Sequence, residues 1–96
     1  MKLLIDKYLK FMEELIKELK EQLIEALNLE DMSVEDIDSD AALFGDGLGL
    51  DSIDALEIIL ILERKYGIKV ENNAETRPIF KSVRSLAEFV AKNRTK

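Results

Sequence analysis

Ser52 is the residue in this chain best placed to carry chemistry. It stands in the run Gly47-Leu48-Gly49-Leu50-Asp51-Ser52-Ile53-Asp54-Ala55-Leu56-Glu57, where a glycine-broken loop meets an apolar stretch. The chain has no histidine and no cysteine. It therefore lacks the commonest general base, the commonest zinc ligand and any thiolate. Such a chain has little chemistry of its own, but a serine at a helix start can carry chemistry attached from outside. Capping explains part of the pattern, because Asp and Ser are both good N-caps and either Asp51 or Ser52 begins the helix. It does not explain Gly47 and Gly49, which let the backbone turn tightly and keep side-chain bulk away from the serine. A helix N-terminus also favours a phosphate through its unpaired N–H groups and dipole. A phosphodiester on Ser52 would sit well there, apart from repulsion by Asp51 and Asp54.

Two other kinds of chemistry fail on residue type. Asp36, Asp38 and Asp40 open like a calcium-binding loop, but Ala41 stands where glycine is needed and Gly47 where a bidentate glutamate is needed. No metal site is predicted. Carboxylates are numerous, yet no histidine, cysteine or glycine-rich phosphate loop accompanies them, and a helical chain this short is expected to offer no cleft. An enzyme is not predicted.

The elements that must position Ser52 are helical. Residues 3–27 carry Leu4, Tyr8, Met12, Leu15, Ile16, Leu19, Leu23, Ala26 and Leu27 at three-and-four spacing, which predicts one long amphipathic helix. At about 1.5 Å per residue it exceeds what a small bundle needs, so its first dozen residues are expected to overhang the core. Residues 28–50 form a long connection, pinned by Leu43, Phe44, Leu48 and Leu50 and holding at most a helical turn. A second helix runs from Asp51 or Ser52 to Tyr66, with Gly67 as its stop. Ile68-Lys69-Val70 reads as briefly extended. The turn-rich stretch 72–78 has room for one short helix, and Ser82 caps a last helix from Val83 to Lys92. The fold class expected is all-α: a small four-helix bundle, three long and one short, with a long loop between the first two helices. Residues 1–14 are its N-terminal helical extension and 15–96 the main domain.

The second helix is apolar nearly all round, with eight apolar positions among the ten from 53 to 62. One stripe, Ala55, Ile58, Ile59 and Leu62, can enter the core. Ile53, Leu56 and Leu60 fall on another side. Either the helix is buried centrally, or this second stripe is exposed inside a rim of Asp51, Asp54, Glu57 and Glu63. Apolar anchors inside a charged rim suit transient docking.

Charge points the same way. The chain carries a net −6, and between Lys20 and Arg64 there are thirteen acids and no basic residue. Residues 64–96 reverse this, with nine basic and three acidic residues. The acidic middle would repel nucleic acid and anionic membrane and attract basic partners. The first residues do not read as a signal peptide, because Asp6 interrupts an apolar run of three. The longest apolar stretch, Ile58 to Leu62, is too short to span a membrane. A soluble cytoplasmic monomer is expected.

Asp51-Ser52-Ile53-Asp54, with Glu57 and Glu63 on the same helix, resembles the Asp-Ser-Leu-Asp signature of acyl carrier proteins, with Ile53 replacing the usual leucine. The resemblance covers roughly residues 15–93. It implies that Ser52 receives 4′-phosphopantetheine from coenzyme A through a phosphopantetheinyl transferase, and that the arm's thiol holds acyl groups as thioesters. It also implies that Asp51, Ile53, Asp54, Leu56, Glu57, Leu60 and Glu63 face acyltransferases, ketosynthases and related synthase enzymes with basic docking patches. Arg64 and Lys65 stand where fatty-acid carriers are usually acidic. The 44–50 loop and the stretch Ile79-Phe80-Lys81-Ser82-Val83 look more like specialised polyketide or aryl-polyene carriers. Two alternatives stand beside this reading: a small acidic helical adaptor without a prosthetic group, and a peptidyl carrier.

Overall fold

A computed structural model describes residues 2–44, 49–71 and 76–95, the side chains of 2 and 3 aside. Three α-helices carry the fold: α1 (Lys2–Ala26), α2 (Ser52–Tyr66) and α3 (Val83–Asn93). Two short 3₁₀ turns, Val34–Asp36 and Arg77–Phe80, lie in the connections. No strand forms among the described residues; Phe44 and Leu50 make an isolated bridge. Among the described residues of the last connection, the expected short fourth helix is a single 3₁₀ turn. Pro78 at its start and the Ser82 cap just beyond it leave too few residues for an α-helical ladder. Ile68-Lys69-Val70 pairs with no described residue as a strand. Instead the Ile68 N–H donates to the Leu62 carbonyl at 3.0 Å and Gly67, at φ 68°, closes α2 with a left-handed residue.

The amphipathic pattern of α1 divides sharply. From Met12 onward its stripe is buried: Met12, Leu15, Ile16, Leu19 and Leu23 enter the core. Before Met12 the helix overhangs. Leu4 is 71% exposed, and Ile5, Tyr8, Leu9 and Phe11 are also exposed. The molecule measures 41 × 28 × 21 Å, its long dimension close to the roughly 37 Å of this helix.

Against α1 pack α3, through Val83, Leu86, Ala87 and Val90, and α2, through Ala55, Ile58, Ile61, Leu62 and Tyr66. Here one expectation needs correcting. Ile59 is half-buried and packs against the core, and Ile61, which the stripe left out, is buried within it. The buried set follows the 58–61/62–66 spacing anchored by Tyr66. That ring is buried, and its hydroxyl donates to Glu18 Oε1 at 2.8 Å and accepts from Gln22 Nε2 at 3.0 Å. Burial, and then the Glu18 carboxylate, push the phenol well above its usual pKa, so it stays a donor. The Arg94 guanidinium lies 5.1 Å from the ring centroid. Tyr66→Phe should therefore lower the denaturant midpoint at unchanged slope, by about 1 kcal/mol in stability.

The long connection is ordered by backbone bonds to the start of α3. The Arg84 N–H, an orphan donor of the first turn of α3, donates to the Ser39 carbonyl at 2.9 Å. Leu43 N–H donates to the Lys81 carbonyl at 3.1 Å, and Leu50 N–H to the Leu43 carbonyl at 3.1 Å. Leu43, Leu50 and Ile37 are buried and Phe44 half-buried, whereas the anchor expected at Leu48 lies outside the described residues. Two acids of the calcium-like triplet are engaged elsewhere. Asp36 accepts from the Ser33 N–H, and Asp40 pairs with Arg84. Both carboxyls are held below their usual range, by the Ser33 backbone bond and by the Arg84 side-chain bond respectively. What they add to stability is present above about pH 4 and is lost as pH falls through their folded values.

Candidate functional site around Ser52

The start of α2 is a reciprocal cap built by Asp51, not by Ser52. Asp51 Oδ1 accepts the Ile53 N–H at 3.0 Å and the Asp54 N–H at 3.1 Å. Asp54 Oδ2 in turn accepts the Asp51 N–H at 3.0 Å. This resolves which of the two candidates caps the helix, and it frees Ser52. The serine occupies the first helical position, is exposed, and its hydroxyl bonds to no described residue. Gly49, at φ 74°, supplies the left-handed turn leading to it. Gly47 lies outside the described residues.

The docking residues divide. Ile53 is 69% and Leu56 53% exposed, large apolar side chains facing outward, with Asp51, Glu57 and Glu63 exposed beside them. Asp54 is half-buried, tied into the cap. Leu60 is half-buried too and lines a small cleft with Gln22, Glu57 and Arg64, so it belongs only in part to the open stripe.

An open groove of about 840 Å³ borders Ser52. Its apolar walls are Ala42, Phe44, Leu50, Ala55, Pro78 and Phe80. Asp51, Ser52, Arg77 and Lys81 are its polar lining residues. The expectation that a helical chain of this length offers no cleft therefore fails. The backbone ties from Lys81 to Leu43 to Leu50 draw the 3₁₀ turn toward the start of α2 and leave a furrow between them. Ala42, Arg77, Pro78, Phe80 and Lys81 are site residues that the linear reading did not assign. A signal was present: a proline-bearing turn just before a capped helix, carrying Arg77 and Lys81. Among the described residues no group of three His, Cys, Asp or Glu side chains is disposed to hold a metal.

These residues suit an arm with an anionic root and a partly apolar body. The exposed hydroxyl accepts a new bond without losing one to any described residue, the helix N–H groups favour a phosphate, and the groove gives the arm a surface to lie on. Residues 17–90 match the family model described as the phosphopantetheine attachment site. The chain belongs to that family. Two acyl carrier proteins of Brachyspira hyodysenteriae, one from strain ATCC 49526 / WA1, are each 32% identical to it over 80 residues, 83% of this chain and 96% of theirs. Like other acyl carrier proteins, the chain is a carrier of covalently bound 4′-phosphopantetheine and not a catalyst. Its helical core and long first connection are those of an acyl-carrier-like bundle. Among the described residues no helix is long and apolar enough to cross a membrane.

Proposed function

We propose that Ser52 is the attachment point of the 4′-phosphopantetheine arm, and that the chain carries acyl thioesters between cytoplasmic enzymes of fatty-acid, polyketide or aryl-polyene-type synthesis. The observation that carries this reading is the exposed Ser52 hydroxyl, bonded to no described residue, at the first position of a helix capped by its neighbour. In loading, Ser52 Oγ forms a bond to the pantetheine-bearing phosphorus of coenzyme A. The phosphoanhydride bond breaks and adenosine 3′,5′-bisphosphate leaves. The hydroxyl proton goes to a base of the transferase. Residues 15–96 are the carrier domain and 1–14 its helical extension.

The test is intact mass after incubation with coenzyme A and a broad-specificity phosphopantetheinyl transferase. One added phosphopantetheine, located on Ser52 by peptide mapping, is the expected result. An unmodified wild type, or modification elsewhere, would sink the proposal.

Partner enzymes are expected to meet the chain at Asp51, Ile53, Asp54, Leu56, Glu57, Leu60 and Glu63 through basic patches. Loading should then slow as salt rises, since exposed charges are screened over about 8 Å at physiological ionic strength. Reversing Glu57 and Glu63 to lysine should slow it at least roughly tenfold. Asp54 is a poor choice for reversal, because its carboxylate holds the helix cap. Reversing Glu13 and Glu14, exposed on α1, should change the rate far less. Equal slowing by both pairs would mean that net charge, not a docking face, governs the encounter.

A further inference from the structure

Arg77 and Lys81 are out of keeping with the surface around Ser52. The chain supplies no basic residue from 21 to 63, yet the fold brings these two cations to the same groove as Ser52. Both are exposed, and among the described residues neither pairs with a carboxylate. Their backbone positions are fixed. Arg77 opens the Pro78 turn, whose Phe80 is buried, and the Lys81 carbonyl accepts the Leu43 N–H that ties it to the loop before Ser52. Asp51, next to Ser52 in the chain, adds a negative charge to the same groove. An anion rooted on Ser52 would meet that repulsion and find, lining the same groove, two cations that pair with no carboxylate among the described residues.

We propose that Arg77 and Lys81 form an anion clasp that holds the phosphodiester of the arm attached at Ser52. The clasp turns the arm over the apolar walls at Phe44, Leu50 and Phe80 rather than away into solvent. Arg77 and Lys81 are thus positioning residues, and no bond is made or broken by them. Arginine suits the task through its planar fork of donors, lysine as a mobile point charge. This inference rests on Ser52 being the attachment point.

The experiment uses the full chain loaded with unacylated phosphopantetheine, so that the phosphodiester is the only new anion. Intact mass first establishes loading of the wild type, of the Arg77→Gln/Lys81→Gln double variant, and of a Lys65→Gln/Lys69→Gln control whose cations lie outside the groove. Failure of the wild type to load would overturn the attachment reading, and the clasp with it. Phosphorus NMR of the loaded proteins then reads the clasp itself. The wild-type phosphodiester line should be displaced from that of the groove variant. It should move toward the variant's position as salt rises from about 0.1 to about 1 M, over which the screening length falls from about 10 to about 3 Å. The groove variant's line should be nearly insensitive to salt, and the control should match wild type. Amide shifts of Phe44, Leu50 and Phe80 on loading should be large in wild type and at least halved in the groove variant. Coincident lines with the same salt response in wild type and groove variant would overturn the clasp while leaving attachment at Ser52 intact. An equal displacement in the control would also overturn it, because the effect would then be one of overall charge.

Discussion

A Ser52→Ala variant is expected to take up no phosphopantetheine and yet to unfold within about 0.5 kcal/mol of wild type. These two outcomes together are what the geometry of the helix start requires. A serine retained as an N-cap would cost about 1 kcal/mol on truncation to alanine. Here the cap is Asp51, whose carboxylate accepts two N–H groups, and the Ser52 hydroxyl holds none of the described structure together. Alanine is also the better helix former. The informative partner is Asp51→Ala, which should cost about 1 kcal/mol while leaving the hydroxyl in place. Intact-mass loading and denaturant melts of both variants separate the roles of neighbouring residues. A Ser52→Ala protein that still gains a phosphopantetheine would refute the attachment site. One that melts far below wild type would show that the serine has a structural role instead.

The limits of the linear reading are physical and specific. The bounds of α2 were legible because its ends are local: an acidic cap, a glycine able to adopt positive φ, and an apolar run between them. Which of Asp51 and Ser52 served as cap was open, since both residue types favour that position. The deciding signal was the Asp54 three residues after Asp51, whose side chain reaches back to close the box. The stripe assignment went partly astray for a different reason. On a helix apolar nearly all round, spacing alone admits several faces, and the buried one is chosen by what packs against it. Tyr66, hydrogen-bonded to Glu18 and Gln22 of α1, is buried on the face that also buries Ile61, while Ile59 packs against the core half-buried.

The groove was illegible for a stronger reason. Its walls come from residues 42–44, 50–55 and 77–81, and they meet only because the long connection is tied to the start of α3 through Ser39, Leu43 and Lys81. No local periodicity records such bonds. The overhang of α1 is the opposite case. Its excess length over a small bundle was legible from residue count, and the exposed Leu4, Ile5, Tyr8 and Leu9 follow from the core beginning at Met12.

Leu62→Ala should cost about 2–5 kcal/mol of stability, whereas Leu56→Ala should cost under about 1.5 kcal/mol. The two leucines lie on one helix, so propensity differs little between them and burial decides. Leu62 is fully buried in the cluster with Leu23, Leu86 and Val90, and truncation there leaves a void that the surrounding helices fill only in part. Leu56 is half in solvent, so its truncation removes little buried surface. Function should run the other way. Leu56→Ala should slow loading and acyl transfer while the protein remains folded, because a partially exposed apolar side chain within a ring of acids gains its burial only on docking. Leu62→Ala, assayed well below its melting temperature, should load at close to the wild-type rate. Melts and loading rates measured on the same samples test both halves. A Leu56→Ala protein as unstable as Leu62→Ala would mean that the outer stripe of α2 is held by the fold and is not free to receive a partner.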